Sequence, residues 1–456
     1  MSHPPALSKI SANLQRRRRA RVGTAGVALL AAAALAAGCG SSGSSGSGSS
    51  SSPQTLKIIT WVNPPAVKAI QQIDSEFEKA NPGVKVDLGT AENVNGPYKA
   101  MLQQTVDATS ADIVSNVTQL QPLPLKVTST NVTYWQTYTM HGVFAPLNGQ
   151  AFLKDYKPGA LAAETYQGKT YGVVSGEYQE GVFYNKQIFA QYHLTPPTTY
   201  SQFLTVLQTL KSHGVTPMWL GLGAVGPIYL QFLYYNLIDS VWQPTVSGPL
   251  ATALENGSAK WTSPAFTQAM NEEKTLAAYL EPGYQGEAWQ GMPGAFADGK
   301  AAMLLDGSWD LASVQAANPK TQVGFFPLPG SNTAANNKSE LQNDLTFSVL
   351  NGSPHKALAM KWLAFFSKPS IYKQYVDITG ISSSQNGGTF SSFSSQVLGS
   401  WFGKGDYYTS YYPVLSDTDS YWDQPANWPT LQQDVISGSK TPAQVEQMYQ
   451  SGWATG

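Results

Sequence analysis

Residues 56–88 read LKIITWVNPPAVKAIQQIDSEFEKANPGVKVDL. Leu56 to Thr60 is a short apolar run that predicts a strand. Pro64 and Pro65 suit the first turn of a helix, where the missing N–H costs no hydrogen bond. Val67, Ile70, Ile73 and Phe77 then recur at helical spacing. Asn81-Pro82-Gly83 stops the helix, and Val84 to Leu88 predicts the next strand. Strand, helix and strand in succession favour parallel pairing through a right-handed crossover.

The same alternation returns along the chain. Thr199 with Gln202 predicts a capping box, followed by Phe203, Leu207 and Leu210 on one helical face and Gly214 at its end. Ser263-Pro264 opens a helix carrying Phe266, Met270 and Leu280. Ser353-Pro354 opens another with Leu358, Trp362, Leu363 and Phe366. Thr441, Pro442 and Gln444 start a fourth before Val445 and Met448. No repeat of fixed period is visible. Alternating elements over this length predict α/β domains, with any ligand in a crevice outside the strand ends.

The length, 456 residues, suffices for two well-packed domains. Charged residues make up 12%, about half the usual ~25%. Lys and Arg (28) nearly cancel Asp and Glu (29), so no overall field recruits nucleic acid. Aromatics are generous, with 12 Trp, 23 Tyr and 17 Phe. That composition suits a neutral polar ligand, and equally a stable extracellular protein. One cysteine, Cys39, excludes an internal disulfide and a thiolate cluster for metal. The five histidines show no close metal-ligand spacing.

The first 39 residues read as targeting. A basic run from Arg16 to Arg21 precedes an apolar stretch from Val22 to Ala37 and then Gly38-Cys39. These are the charged region, apolar region and small-residue cleavage site of a secretory signal. The apolar run is short for a membrane span of ~20 residues. Leu35-Ala36-Ala37-Gly38-Cys39 resembles a bacterial lipobox, with Ala36 where the usual pattern has Leu. In that motif the cysteine thiol is lipidated and becomes the new N-terminus, so Cys39 is expected to be a lipid anchor. Residues 40–53, GSSGSSGSGSSSSP, are a flexible tether spanning on the order of 20 Å.

The stretch Gly168 to Gly214, GKTYGVVSGEYQEGVFYNKQIFAQYHLTPPTTYSQFLTVLQTLKSHG, carries Tyr184-Asn185-Lys186 and Pro196-Pro197. Phe296-Ala297-Asp298-Gly299-Lys300-Ala301-Ala302-Met303 runs into Gly307-Ser308-Trp309. Phe326-Pro327-Leu328-Pro329-Gly330 follows, and Ala357 to Pro369 and Thr441 to Tyr449 are late helices. In order and spacing these segments resemble the family 1 extracellular solute-binding proteins, the maltose-binding-like group. Val174 stands where that family usually has Pro, and Tyr200 where it has Trp.

The resemblance implies an α/β, two-lobe, periplasmic-binding-protein-like (type II) fold with a ligand cleft between the lobes. By analogy the chain crosses between lobes near Val173–Glu180, Phe326–Asp344 and Ile381. The first lobe would be 54–175 plus 343–382, and the second 176–342 plus 383–456. The implied role is the substrate-binding lipoprotein of an ABC importer, a monomer on the outer face of a bacterial membrane. It would capture a neutral sugar or oligosaccharide, pass it to the permease subunits, and use no cofactor, metal or nucleic acid.

A pyranose offers an apolar C–H face and a rim of hydroxyls, so its site needs flat aromatics beside planar polar groups. Trp61 directly follows the first strand. Asp112 lies in Ala111-Asp112-Ile113, which matches the family's P-D-I/V segment. Glu177 and Tyr178 lie at the first crossing. Trp219, Trp242 and Trp289 fall in loops of the second lobe. Trp309 matches a family position that often faces ligand, and Trp422 sits in a late aromatic stretch. Against each stands the fact that tryptophans in large proteins mostly pack in cores. Trp362, on an apolar helical stripe, is read as core.

Two other functions stay open at this level. A secreted glycoside hydrolase needs two carboxylates at a set distance, and Asp306 with Asp310 or Glu177 with Glu180 could pass for such pairs. No G-x-S-x-G, H-E-x-x-H or phosphate-cradling loop is present. A polyamine-binding protein would want acidic groups around aromatics, which Glu177, Asp112 and Asp306 could supply.

Overall fold

The computed structural model describes residues 54–91, 97–117, 120–121, 123, 132–223, 229–388, 392–401 and 428–455. Cys39, the tether and Trp422 lie outside the described residues. The opening stretch forms β1 (Gln54–Trp61), the helix Pro64–Ala80 and β2 (Val84–Ala91). Asn63 caps the helix, its Oδ1 accepting from the N–H of Ala66 at 3.1 Å. The helix buries Ile70, Ile73 and Phe77, the stripe its spacing predicts. β1 and β2 pair in parallel from Gln54↔Val84 to Trp61↔Ala91.

The first sheet is completed by β3 (Ile113–Asn116) and, after the small hairpin β4 (Thr165–Tyr166) and β5 (Lys169–Thr170), by β6 (Val173–Val174). Its last member comes from far along the chain. The second sheet contains β7 (Glu177–Asn185), β8 (Met218–Trp219), β9 (Met303–Gly307) and β10 (Val323–Phe326), with β11 (Leu341–Asn343) pairing against the start of β7. β12 (Thr346–Val349) then returns to the first sheet, giving the order β2-β1-β3-β12-β6 beside β10-β7-β9-β8. β12 runs antiparallel to β3 and β6, in an otherwise parallel arrangement.

Each sheet has its own core. One face of the first sheet packs Ile58, Ile70, Phe77, Phe347, Trp362 and Phe366. Its other face packs Tyr98, Leu102, Val114 and Trp135. The second core gathers around Phe183, Phe203, Trp242, Trp261 and Phe266. Trp362 is fully buried, as its stripe predicts.

Three strands of chain run side by side between the sheets. Ser175 donates to the Leu345 carbonyl at 2.7 Å, Asp344 to Gly176 at 2.8 Å, and Glu177 exchanges two bonds with Ser382 at 2.9 and 2.8 Å. A Cβ on Gly176 would lie 2.3 Å from Ile381 Cδ1. Glycine is what lets these segments touch.

The helix starts follow their caps, with two differences. Thr441 and Gln444 form a reciprocal capping box, Thr441 N–H to Gln444 Oε1 at 2.9 Å and Gln444 N–H to Thr441 Oγ1 at 3.3 Å. Thr199 accepts from Gln202 N–H, but Gln202 reaches back to Thr198, so that box is only half closed. Ser353 does not cap the helix Lys356–Phe366. Its hydroxyl donates to Asp112 at 2.5 Å, and the cap position falls to His355 without a side-chain bond. Among the described residues no helix is long and apolar enough to cross a membrane.

Candidate functional site

β1 delivers Trp61 at its C-terminal end, where a parallel α/β sheet presents ligands. Trp61 is partly buried and packs against all three cores, so it stands where the two sheets face one another. Its ring lies 6.4 Å from that of Trp289, which stacks on Tyr229 at 5.9 Å and 19°. Across the same junction Trp309 meets Tyr178 edge-on at 4.6 Å and Phe232 at 5.9 Å. Trp309 touches both the first and the second core. Four sequence-predicted residues, Trp61, Tyr178, Trp289 and Trp309, thus come together on one aromatic wall.

Local geometry explains how Trp309 is held. A Cβ on Gly307 would sit 2.0 Å from the Trp309 ring. The glycine therefore makes room for the ring to fold back over the end of β9. Ser308 Oγ accepts from the Gln179 N–H at 3.1 Å and fixes the turn to β7. Tyr178 is aimed by its hydroxyl, which donates to Gln342 Oε1 at 2.9 Å. The buried indole N–H of Trp61 has no hydrogen-bond partner among the described residues, and neither has that of Trp219. A buried N–H of this kind is open to a hydroxyl or carbonyl oxygen as acceptor.

The remaining candidates lie elsewhere. Asp112 precedes β3, whose C-terminal end is Asn116, so it sits about 13 Å down the sheet from the crevice. There it accepts from the Lys57 N–H at 2.8 Å and from Ser353, with His355 Nδ1 at 3.4 Å. It ties β1 and β3 to the loop before the helix Lys356–Phe366, and is not part of the wall. Glu177 is buried and its Oε2 accepts from Lys157 Nζ at 2.7 Å, beside the crossing strands. Trp242 is 1% exposed and packs on Trp261 at 5.3 Å and Phe266 at 4.9 Å. It belongs to the second core, because the helix Gln231–Leu237 continues as a wider turn through Trp242 where a loop is predicted. Trp219 stands half-buried on β8, packed on the same core.

Sequence reasoning missed Tyr229, Phe232, Asn116 and Gln342. Asn116 Oδ1 accepts from the Tyr134 hydroxyl at 2.6 Å at the crevice end of β3. Its position four residues after Asp112 was a usable signal, since β3 runs parallel to β1. Phe232 sits in an aromatic run that reads as helix core, and nothing local distinguishes it.

The sequence offers two carboxyl pairs to a hydrolase, Glu177 with Glu180 and Asp306 with Asp310. Glu177 is paired with Lys157, and strand alternation along β7 turns Glu180 to the opposite face. Glu180 instead lies beside Glu340, its backbone N–H donating to the Glu340 carbonyl at 2.9 Å, and Asp306 lies near Asp310. Burial raises all four carboxyls, Asp310 and Glu340 to about 6, and the adjacent acid raises Glu180 and Asp306 further.

The comparisons with known proteins bear on this geometry. The Multiple sugar-binding protein of Streptococcus mutans serotype c is 24% identical over 316 residues, 68% of this chain and 70% of its own length. A solved structure titled as a chitin oligosaccharide binding protein superposes with a TM-score of 0.71 at 22% identity, covering 89% of this chain and 99% of the other. A sugar transporter protein from Bacillus licheniformis, in complex with stachyose, gives 0.69 at 20% identity, with 88% and 99% covered. Both share the two-lobe fold. The family model for bacterial extracellular solute-binding proteins matches residues 61–373, a span that runs from Trp61 into the helix Pro369–Thr379 and includes the first two crossings, and the chain belongs to that family.

Proposed function

We propose that this chain captures a neutral sugar or oligosaccharide between its lobes and delivers it to the transmembrane subunits of an ABC importer. The observation that carries the reading is the aromatic wall from Trp61 through Trp289 and Tyr229 to Trp309 and Tyr178, built from both sheets. Flat rings match the C–H face of a pyranose, and the unpartnered Trp61 indole N–H matches its hydroxyls. The sugar-binding names of its relatives support the same class of ligand. A polyamine reading loses support, because Glu177 is already paired with Lys157 and Asp112 lies away from the wall.

The bodies that close are 54–175 with 343–382 and 176–342 with 383–456. They turn about the three adjacent crossings, so that contacts from both lobes form together only around a bound ligand. Closure then reports occupancy to the permease. The protein binds without turning its ligand over.

A thermal-shift screen of the purified protein tests the ligand class. Mono-, di- and oligosaccharides are compared with polyamines. At a hundredfold excess over Kd, a bound sugar adds about 2.7 kcal/mol to stability and raises the melting temperature by several degrees. A shift with a polyamine and none with any sugar overturns the reading.

Cys39 carries the lipid, and the Ser/Gly tether holds the folded body near the membrane. In a native host the wild type is expected in the membrane fraction and Cys39→Ser in the medium. A wild type already wholly in the medium removes the anchor.

A further inference from the structure

The folded body contains no arginine, since all five in the chain lie between Arg16 and Arg21. The side-chain cations open to a buried carboxylate there are lysine and histidine. Glu177 takes a lysine: Lys157 Nζ stands 2.7 Å from its Oε2, and the Glu177 side chain is 4% exposed. The pair sits on the hinge. Glu177 opens β7, where the chain enters the second lobe, and exchanges backbone bonds with Ser382 of the third crossing. Lys157 belongs to the first lobe, just before the helix Pro158–Ala163, and its own N–H donates to the Ser384 carbonyl at 2.8 Å. One lysine thus holds two crossings, one by its backbone and one by its charge. The Tyr372 hydroxyl donates to the Val174 carbonyl at 3.0 Å and accepts from the Ser384 N–H at 3.2 Å, which ties the same two segments to the helix Pro369–Thr379.

We propose that the Lys157–Glu177 ion pair is a latch of the closed arrangement, and that these two positioning residues set ligand affinity through the balance between closed and open lobes. The proposal rests on the reading that the ligand is captured between the lobes. In the structure the lobes meet across the crevice, with Trp61 of the first lobe 6.4 Å from Trp289 of the second, and the ion pair is formed in that arrangement. Alternation along β7 turns Glu177 to the face opposite Tyr178, so its charge serves the hinge and not the wall. Removing the lysine strips a buried carboxylate of the counter-charge beside it, and breaking a buried pair from one side is far more unfavourable than losing an exposed one. Glu177 is the first residue of its strand and lies among the crossings. Turning β7 away from the first lobe returns it to water with both cores left whole, and that turn is the opening of the hinge.

The test has two arms, so that failure of the latch and failure of the sugar reading differ. The first uses the ligand-free protein. Small-angle scattering is expected to show a larger radius of gyration for Lys157→Met than for the wild type, and the wild-type value for Lys157→Arg. The Trp61 indole N–H resonance, assigned by its loss in Trp61→Phe, is expected to shift in Lys157→Met, because opening takes Trp61 away from Trp289. The indole resonance of Trp362, buried in the first core, is expected to stay fixed. Lys157→Met/Glu177→Gln decides the cause. An amide needs no counter-charge, so this variant is expected to return to the wild-type radius with the lysine still missing. In the second arm, calorimetry is expected to show sugar binding about tenfold weaker in Lys157→Met and restored in the double variant, since a smaller closed fraction raises the apparent Kd. A wild-type radius in Lys157→Met, or the same enlarged radius in the double variant, overturns the latch. A Trp362 resonance lost in Lys157→Met makes the pair a structural one and overturns it too. An opened Lys157→Met that binds sugar as tightly as the wild type overturns the link to affinity. An opening reversed in the double variant, with no sugar bound by any form, upholds the latch and overturns the sugar reading instead.

Discussion

The stability of this protein is expected to fall as pH rises from about 5 to about 8, the reverse of the usual rise through the carboxylate range. The cause is a set of acids buried without cationic partners. Burial raises Asp74 from 3.8 to about 7 and Glu164 from 4.5 to about 8, and it takes Asp344 to about 6. In the unfolded chain these groups titrate near 4. Between there and their folded values the native state holds more protons than the unfolded one. Stability is therefore full below about pH 4 for these groups and is lost as pH climbs from there to their folded values of about 6 to 8. Asp74 alone, about three pKa units up, corresponds to about 4 kcal/mol over that window as an upper figure. Its Oδ1 accepts from the Trp362 indole at 2.7 Å, inside the core beside the helix Pro64–Ala80. Asp74→Asn keeps that acceptor and cannot ionise. Urea unfolding should show the stability of the variant relative to the wild type rising by about 2 kcal/mol or more between about pH 5 and about pH 8. A gain of the same size at both pH values, or a wild type that strengthens towards pH 8, would dispose of the argument.

Trp309→Ala is expected to weaken sugar binding by roughly ten- to a hundredfold, from a lost stacking surface worth about 1–3 kcal/mol. The ring lies on the junction between sheets, edge-on to Tyr178, and is only partly buried. Its loss should therefore lower the melting temperature of the ligand-free protein by no more than a few degrees. Calorimetry and a thermal scan decide it together. Unchanged affinity takes Trp309 off the ligand wall. A collapse of the ligand-free protein makes it a packing residue that joins the two cores.

Much of the architecture was legible because its signals are local. The helical stripe of Val67 to Phe77, the Asn63 to Pro65 start and the flanking apolar runs specify a strand, a helix and a strand by spacing and steric rule alone. The reciprocal box at Thr441 and Gln444 is equally local. So is the order of motifs from Gly168 to Trp309 that marks the family.

What stayed hidden was long-range. Asp112 and Asn116 are four residues apart, and only the parallel register of β3 on β1 says which of them faces the crevice. Trp242 and Trp289 read alike as loop tryptophans. Packing against Trp261 and Phe266 makes Trp242 a core residue, and a 6.4 Å approach to Trp61 puts Trp289 on the wall. The partner of Glu180 is Glu340, 160 positions away in the chain, because β11 lies against the start of β7. The sequence by itself determined the elements, the family and the absence of arginine from the body, all of which follow from residue identity and short spacing. The tertiary structure alone decided which aromatics form the wall and which acids are buried near it, since burial and proximity are set by how distant strands pair.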